Sequence, residues 1–288
     1  MMRPPGDPVG SVEVDAKGVK LPNKDWTYDD FLAAAQKLND PANNRFAVEV
    51  GQNVIQYVMG TFIRNFGGKV VNETRDKALY GDDGNALKGL QFDAELFTKY
   101  RVTPTAEATK ALPSGQRAME AQVVAMEMNG VFRHTNIRPA IGAENLDFAP
   151  PPKGPTGIQQ ARVAGNAWSI LSLSKAQDAA WKVLRWLHTK EGMLTPAHLD
   201  FIAWPPLVWA GKDAKWLDRF KGTHIADCQK VWETGGHNLV LPEGSDAFSV
   251  MNAPLAKALT GEIAPRDALR ESAEKANELF ARRPANWK

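Results

Sequence analysis

Short apolar segments alternate with amphipathic helical patterns along this chain, and that alternation restricts its fold more than any other feature. Strand-like runs cover residues 45–50, 69–72, 123–128 and 168–173, and one broad apolar helical stripe extends from 54 to 66. Strands separated by helices of ten or more residues are typical of an α/β fold around a largely parallel sheet. The last part of the chain predicts helices at about 212–234, 245–260 and 265–283. We therefore expect an α/β architecture with a helical tail that returns to an earlier domain.

Local signals place several helix ends. Thr27 and Asp30 form a capping-box pattern that predicts a helix over 27–38, and Ser174 with Gln177 predicts a second one. The helix after Ser174 would turn its apolar face inward, with Ala179, Ala180, Val183, Leu184 and Leu187. Gly67-Gly68 ends the helical stripe, which we place over 52–66. A helix follows the turn at 82–85, and a shorter one is predicted over 114–121.

Composition and motifs exclude several function classes. A length of 288 residues suits two domains, and 35 Lys+Arg against 33 Asp+Glu give no basic field for nucleic acid. A single cysteine, Cys228, excludes an intramolecular disulfide and a cysteine-rich metal site. The five histidines show no metal-ligand spacing, and the sequence carries no nucleophile-elbow, phosphate-loop, zinc-protease or dinucleotide motif. We expect no enzyme activity, cofactor or metal, although a carbohydrate-active enzyme with a carboxylate pair stays an alternative.

The N-terminal residues 1–18 have no apolar core of the kind that a secretory signal needs. The longest apolar stretch, 201–211, is too short to span a membrane and is interrupted by Pro205-Pro206. Taken literally, the chain would stay in the cytoplasm.

Aromatic residues beside glycine, proline or strand ends suggest a ligand cleft. Phe132 follows the strand at 123–128 and the turn Asn129-Gly130, where open α/β sheets bind ligands. Flat rings stack on the C–H faces of sugars, while neighbouring amides and hydroxyls bind the sugar hydroxyls. For each ring, packing in the core is the alternative. Candidates besides Phe132 are Tyr57, Trp168, Trp204 and Phe248.

Eight stretches, in this order, carry a resemblance to one family. They are 25–31 (DWTYDDF), 66–68 (FGG), 126–130 (MEMNG), 149–154 (APPPKG), 165–169 (GNAWS), 174–175 (SK), 179–184 (AAWKVL) and 189–192 (TKEG). This order resembles the family 1 extracellular solute-binding proteins of ABC transporters, the carbohydrate-carrying group similar to maltose and glycerol-phosphate binders. The resemblance covers roughly residues 15–288, and the family's opening segment has no counterpart here.

The resemblance implies a periplasmic-binding-protein-like two-lobe fold of type II with an incomplete first lobe. Residues 1–25 would be an irregular lead-in, 26–163 with 240–288 the second lobe, and 164–239 the remainder of the first lobe. Ligand-binding residues carried over by position are Tyr57, Phe132, Gly165, Trp168, Trp204 and Phe248.

The implied function is to bind a sugar or sugar-like solute in the periplasm and deliver it to membrane permease subunits. The identity and charge of the ligand stay open, and a truncated fragment without function is the main alternative. If the first lobe is incomplete, residues 164–239, which hold seven of the nine tryptophans, should expose apolar surface.

Overall fold

The computed structural model describes residues 18–19, 22–50, 58–162, 167–201, 204–235, 241–242 and 244–284. Two strands are present in this part of the chain, β1 (Phe46–Val50) and β2 (Val124–Met128). The α-helices, numbered in chain order, are α1 (Tyr28–Leu38), α2 (Gly84–Thr98), α3 (Ala106–Lys110), α4 (His134–Ile141), α5 (Gln177–Leu187), α6 (Lys190–Met193), α7 (Pro196–Phe201), α8 (Val208–Gly211), α9 (Ala214–Leu217), α10 (Ile225–Gly235), α11 (Ser245–Thr260) and α12 (Pro265–Ala281). Short 3-10 helices cover Pro41–Asn43, Val131–Arg133, Ala143–Asn145 and Asp218–Phe220, and a π-helical segment covers Val58–Ile63.

The capping box predicted for α1 is confirmed. The Thr27 hydroxyl accepts a hydrogen bond from the Asp30 N–H at 3.2 Å, and the Asp30 carboxylate accepts one from the Thr27 N–H at 2.9 Å. Two backbone donors at the helix start are thereby satisfied by nearby side chains. The helix then buries Phe31 and Ala35 against a core that also holds Val48 of β1.

Strands β1 and β2 pair in parallel, with Phe46 opposite Val124 and Glu49 opposite Glu127. This confirms the strands predicted at 45–50 and 123–128. The strand predicted at 69–72 is wrong, because Val71 makes only an isolated bridge with Ala78. The Asn72 side chain accepts hydrogen bonds from the N–H groups at 76 and 77, which turns the chain back on itself before it can join the sheet.

The helical stripe predicted over 52–66 is described from residue 58 onward. Val58–Ile63 is π-helical and fully buried, and Gly67, at φ +89°, follows the last helical turn as expected. Residues 51–57 lie outside the described part of the chain.

The helix predicted over 114–121 is wrong, and turns take its place. Gly115 has a φ of +79°, which an α-helix cannot contain, and Pro113 precedes it. The turns bring Ala118 to the sheet edge, where its carbonyl accepts a hydrogen bond from the Val123 N–H at 2.7 Å.

The strand predicted at 168–173 is also wrong. Residues 167–171 are irregular and make no strand ladder with any described residue, and Leu171 and Leu173 are exposed. A β-strand needs a neighbour for its backbone groups, so an apolar strand-like pattern without one does not become a strand.

Helix α5 forms where it was predicted, but its N-cap and its burial differ from the prediction. Its N-cap is Ala176, and Ser174 instead accepts a hydrogen bond from the Ala176 N–H at 3.2 Å. No residue of α5 is buried. Ala180, Leu184 and Leu187 are only half-buried, and the predicted inward positions Ala179 and Val183 are exposed.

The C-terminal helices α11 and α12 pack on each other and on α2. The Tyr80 hydroxyl contacts the Ser272 hydroxyl at 2.9 Å, and Ser272 donates to the Met251 carbonyl at 2.7 Å. The Asn277 side chain accepts from the Ala78 N–H at 2.8 Å. These contacts join 245–284 to 58–90, and the division of the chain into lobes stays a prediction.

The helix predicted over 212–234 is divided into α9, a 3-10 turn and α10. Gly222, at φ +85°, interrupts it. These elements, with Met193 and Leu199, form an apolar cluster that also contacts Val131 and Phe148. None of the helices in the described ranges combines the length and apolar character that crossing a bilayer requires.

Candidate functional site

The carboxyl end of β2 positions one exposed aromatic ring. After β2, Asn129-Gly130 leads into the 3-10 turn Val131–Arg133, in which Phe132 is 49% exposed although the next two residues, Arg133 and His134, are buried. The ring lies over Gly130, since a Cβ added there would stand 2.6 Å from two ring carbons. An exposed ring held at a strand's carboxyl end fits the location that the sequence indicated for Phe132.

A buried network of charges lies directly behind this turn. Because Glu49 and Glu127 are partners in the parallel ladder, their carboxylates share one face of the sheet. Arg117 contacts Glu49 at 2.9 Å and Glu127 at 3.4 Å. Arg133 donates from Nε to Glu127 at 3.1 Å and also pairs with Glu120. Three carboxylates are therefore held by two guanidinium groups.

Glu127 is the centre of this network and the most buried member, with 3% of its side chain exposed. Its Oε1 also accepts a hydrogen bond from Asn129 Nδ2 at 2.6 Å, and the Asn129 Oδ1 in turn accepts from the Gly130 N–H at 2.8 Å. Burial raises the pKa of Glu127 above its usual value, while Arg133 and Arg117 act in the opposite direction. Two residues that flank Phe132, Asn129 and Arg133, are thus both hydrogen-bonded to one carboxylate.

The other predicted site residues are distributed differently. Trp168 is 52% exposed in the irregular segment before α5. Trp204 is half-buried and packs edge-on against Trp216, with ring centroids 5.5 Å apart. Phe248, on α11, packs against the separate core formed with α2 and α12. Tyr57 and Gly165 lie outside the described residues.

Phe132 and Trp204 therefore lie near one apolar cluster, whereas Phe248 belongs to another. Val131, beside Phe132, contacts the same cluster as Trp204. The roles of all six residues in ligand binding stay predictions, and core packing already accounts for part of the Trp204 and Phe248 surfaces.

Cys228 and His134 have environments that disfavour their charged forms. Burial raises the pKa of the Cys228 thiol to about 12, and burial with Arg138 and Arg219 nearby lowers the pKa of His134 to about 4. The His134 ring packs edge-on against Phe220. Within the described ranges, no group of His, Cys, Asp and Glu is arranged to hold a metal ion.

The charge network behind Phe132 was missed by the sequence reasoning. The available signal was Glu127 inside the apolar run VVAMEM, since a carboxylate in a buried strand needs partners. Its partners are separated by up to 84 positions (133 minus 49), and only the parallel pairing of β1 and β2 brings them together.

Comparison with known proteins identifies the family of this chain. Residues 12–194 match the model of the bacterial extracellular solute-binding protein family. Among curated proteins, none matches this chain significantly.

Solved structures of low sequence identity share the fold. An ABC transporter solute-binding protein from Thermotoga lettingae TMO, bound with alpha-D-tagatose, has a TM-score of 0.78 at 22% identity, covering 93% of this chain and 68% of that one. The maltose/maltodextrin-binding domain from Bdellovibrio bacteriovorus, bound to maltotriose, has a TM-score of 0.72 at 19% identity over 92% and 69%. A solute-binding protein from Agrobacterium radiobacter K84, in complex with ribitol, has 0.70 at 20% identity over 93% and 67%. This chain therefore has part of a two-lobe periplasmic-binding-protein fold.

Proposed function

This chain belongs to the bacterial extracellular solute-binding protein family, and on that premise we propose that it binds a sugar or polyol as the substrate-binding component of an ABC transporter. The observation that carries the proposal is the Phe132 ring, half-exposed at the carboxyl end of β2. A ring held outward at the carboxyl end of a strand stands where open α/β sheets bind ligands, and its free face is available for stacking. The sugars and polyol bound by proteins of the same fold support this ligand class.

The proposed binding surface contains Phe132 as its central stacking ring. Tyr57 and Phe248 would add rings from the same lobe, and Gly165, Trp168 and Trp204 would approach from the 164–239 segment. In this assignment the protein acts by binding and release, without changing its ligand. Its partners would be the permease subunits of the transporter, and its place of action would be the periplasm.

A thermal-shift screen tests the proposal directly. The purified chain is titrated with D-tagatose, maltose, maltotriose and ribitol, and binding raises Tm by an amount that grows with the logarithm of the ligand concentration once that concentration exceeds Kd. Chromatography of the recovered ligand separates a binder from a carbohydrate-active enzyme, since a binder returns it unchanged. If none of these compounds raises the Tm of the chain, the result favours the alternative of a fragment without function.

Substitution of Phe132 tests the assignment of the stacking ring. Phe132→Ala should weaken the affinity for the best ligand several-fold, because an aromatic stacking contact contributes on the order of 1 kcal/mol beyond burial. Leu173→Ala is the matched control, since it removes an exposed apolar side chain outside the proposed surface. Equal affinities for the two variants would show that Phe132 does not stack on the ligand and has only a packing role.

A further inference from the structure

The turn that presents Phe132 is a single 3-10 turn of three residues, Val131–Arg133, which leads into α4. Within it, the Arg133 N–H donates to the Gly130 carbonyl at 3.0 Å, and the Thr135 hydroxyl donates to the Phe132 carbonyl at 3.0 Å. The backbone of a half-exposed turn of this kind samples several conformations unless side chains restrain it. The restraint here comes from residues on both sides of Phe132.

Asn129 and Arg133 both donate hydrogen bonds to a single atom, Oε1 of Glu127. The Asn129 bond is 2.6 Å and the Arg133 bond is 3.1 Å, and both are partly buried. Asn129 precedes the turn and Arg133 ends it, so the Glu127 carboxylate links the two ends of the turn through hydrogen bonds. The exposed ring of Phe132 lies over Gly130, the residue between Asn129 and the turn.

We propose that Glu127 is the positioning residue that fixes the orientation of Phe132 for ligand stacking. This inference rests on the proposed function for its consequence in affinity, and on the contacts above for its geometry. A ring whose orientation is set before the ligand arrives binds more tightly, because each rotatable group that must be ordered on binding lowers the affinity. Glu127 supplies that order without touching the ligand itself, since 3% of its side chain is exposed.

Glu49 provides a matched control. It is the ladder partner of Glu127, it is largely buried and it pairs with Arg117 at 2.9 Å, whereas the hydrogen bonds from Asn129 Nδ2 and Arg133 Nε go to Glu127. Glu127→Gln and Glu49→Gln therefore remove the same charge from neighbouring positions of one network. If the network acts only on stability, the two substitutions should have the same effects.

The first test needs no ligand. Amide hydrogen exchange of the segment 129–134 is measured by mass spectrometry for the wild type and both variants. Loss of charge-assisted hydrogen bonds at both ends of the turn should speed exchange there about fivefold or more in Glu127→Gln, and leave it unchanged in Glu49→Gln. Unchanged exchange in Glu127→Gln, or an equal increase in both variants, would overturn the proposal. Asn129→Ala, which removes one of the two bonds, gives the same readout if Glu127→Gln fails to fold.

The second test is a double-mutant cycle on affinity, with the compound among D-tagatose, maltose, maltotriose and ribitol that raises Tm most. Glu127→Gln should raise Kd about three- to tenfold, and should have no further effect in the Phe132→Ala background. Additive effects of the two substitutions would show that Glu127 does not act through Phe132. A wild type that binds none of the compounds would remove the proposed function, whereas the exchange experiment would still decide whether Glu127 holds the turn.

Discussion

Asp93 on α2 is the most unusual titratable residue of the described chain. It is fully buried, and neither carboxylate oxygen has a hydrogen-bond partner among the described residues. Burial raises the pKa of its carboxyl from 3.8 to about 8, so the folded protein keeps this group protonated at neutral pH. The unfolded chain, by contrast, ionises it above about pH 4. Between these two values each rise in pH favours the unfolded state.

This difference predicts a pH-dependent effect of Asp93→Asn. The free energy of unfolding is unaffected by the titration of Asp93 below about pH 4. It falls as pH rises from about 4 toward about 8, because the unfolded chain releases this proton and the folded chain keeps it. The amide cannot ionise, so the free energy of unfolding of the variant should exceed that of the wild type by a margin that grows to about 2–4 kcal/mol at pH 8. Urea unfolding at pH 5 and pH 8 measures this margin.

Glu274→Gln is the control for that experiment, because Glu274 is an exposed carboxyl on α12. It should change the free energy of unfolding little at either pH. A margin for Asp93→Asn that stays constant between pH 5 and pH 8 would show that the group is already ionised in the folded protein.

At the scale of the elements, α2 is held against the π-helical segment by close backbone approach. A Cβ added to Gly89 would stand 2.8 Å from the Phe62 carbonyl oxygen and 2.8 Å from the Ile63 Cα. Alanine is otherwise the better helix former, by about 1 kcal/mol. Packing between the two elements, not helix propensity, therefore explains the glycine.

Gly89→Ala should consequently lower the free energy of unfolding by about 1–3 kcal/mol, since backbone atoms have to move to admit the methyl group. Gly84→Ala, in the first turn of the same helix, is the matched control because no atom lies within 4 Å of its added Cβ. It should be neutral or slightly stabilising. Chemical denaturation of both variants checks the prediction, and equal stabilities would show that the two elements can separate without cost.

At the scale of the whole molecule, exposed apolar side chains are concentrated in one part of the chain. Among the described residues, and apart from Phe132, the large apolar side chains that are markedly exposed fall between 168 and 217; they are Trp168, Leu171, Leu173, Trp181, Val183, Trp186, Val208, Trp209 and Leu217. Helix α5 contributes three of them and buries none of its own residues. An apolar surface of this extent favours association and binding of apolar dyes.

We therefore expect the purified chain to bind the dye ANS, to self-associate, and to be cut early by proteases within 164–239. The double variant Trp181→Gln and Trp186→Gln should reduce dye fluorescence with little change in Tm, because both rings are already exposed. Lys182→Gln, at an exposed position of the same helix, is the control that leaves apolar surface in place. A monomer without dye binding, in which 164–239 resists protease as well as 26–163 does, would contradict this expectation.

The amino-acid sequence by itself determined the elements whose causes are local. The capping box of α1, the strands at 46–50 and 124–128, and helices α2, α11 and α12 depend on periodicity and caps within one segment, and they formed where the sequence predicted them. Short stretches in a fixed order along the sequence also indicated the family, and the family match over residues 12–194 confirms it. The location of Phe132 followed from the strand and the glycine before it.

Tertiary structure decided whatever depends on a distant neighbour. The apolar pattern at 168–173 had strand character, but a strand requires a backbone ladder with a neighbour, and the described residues 168–173 are irregular or in a turn. The amphipathic face of α5 predicted burial, which only another element can provide. The charge network around Glu127 exists because β1 and β2 pair in parallel and bring Glu49 beside it. Local propensity acts over a few residues, whereas pairing, burial and ion-pair geometry are properties of the folded chain as a whole.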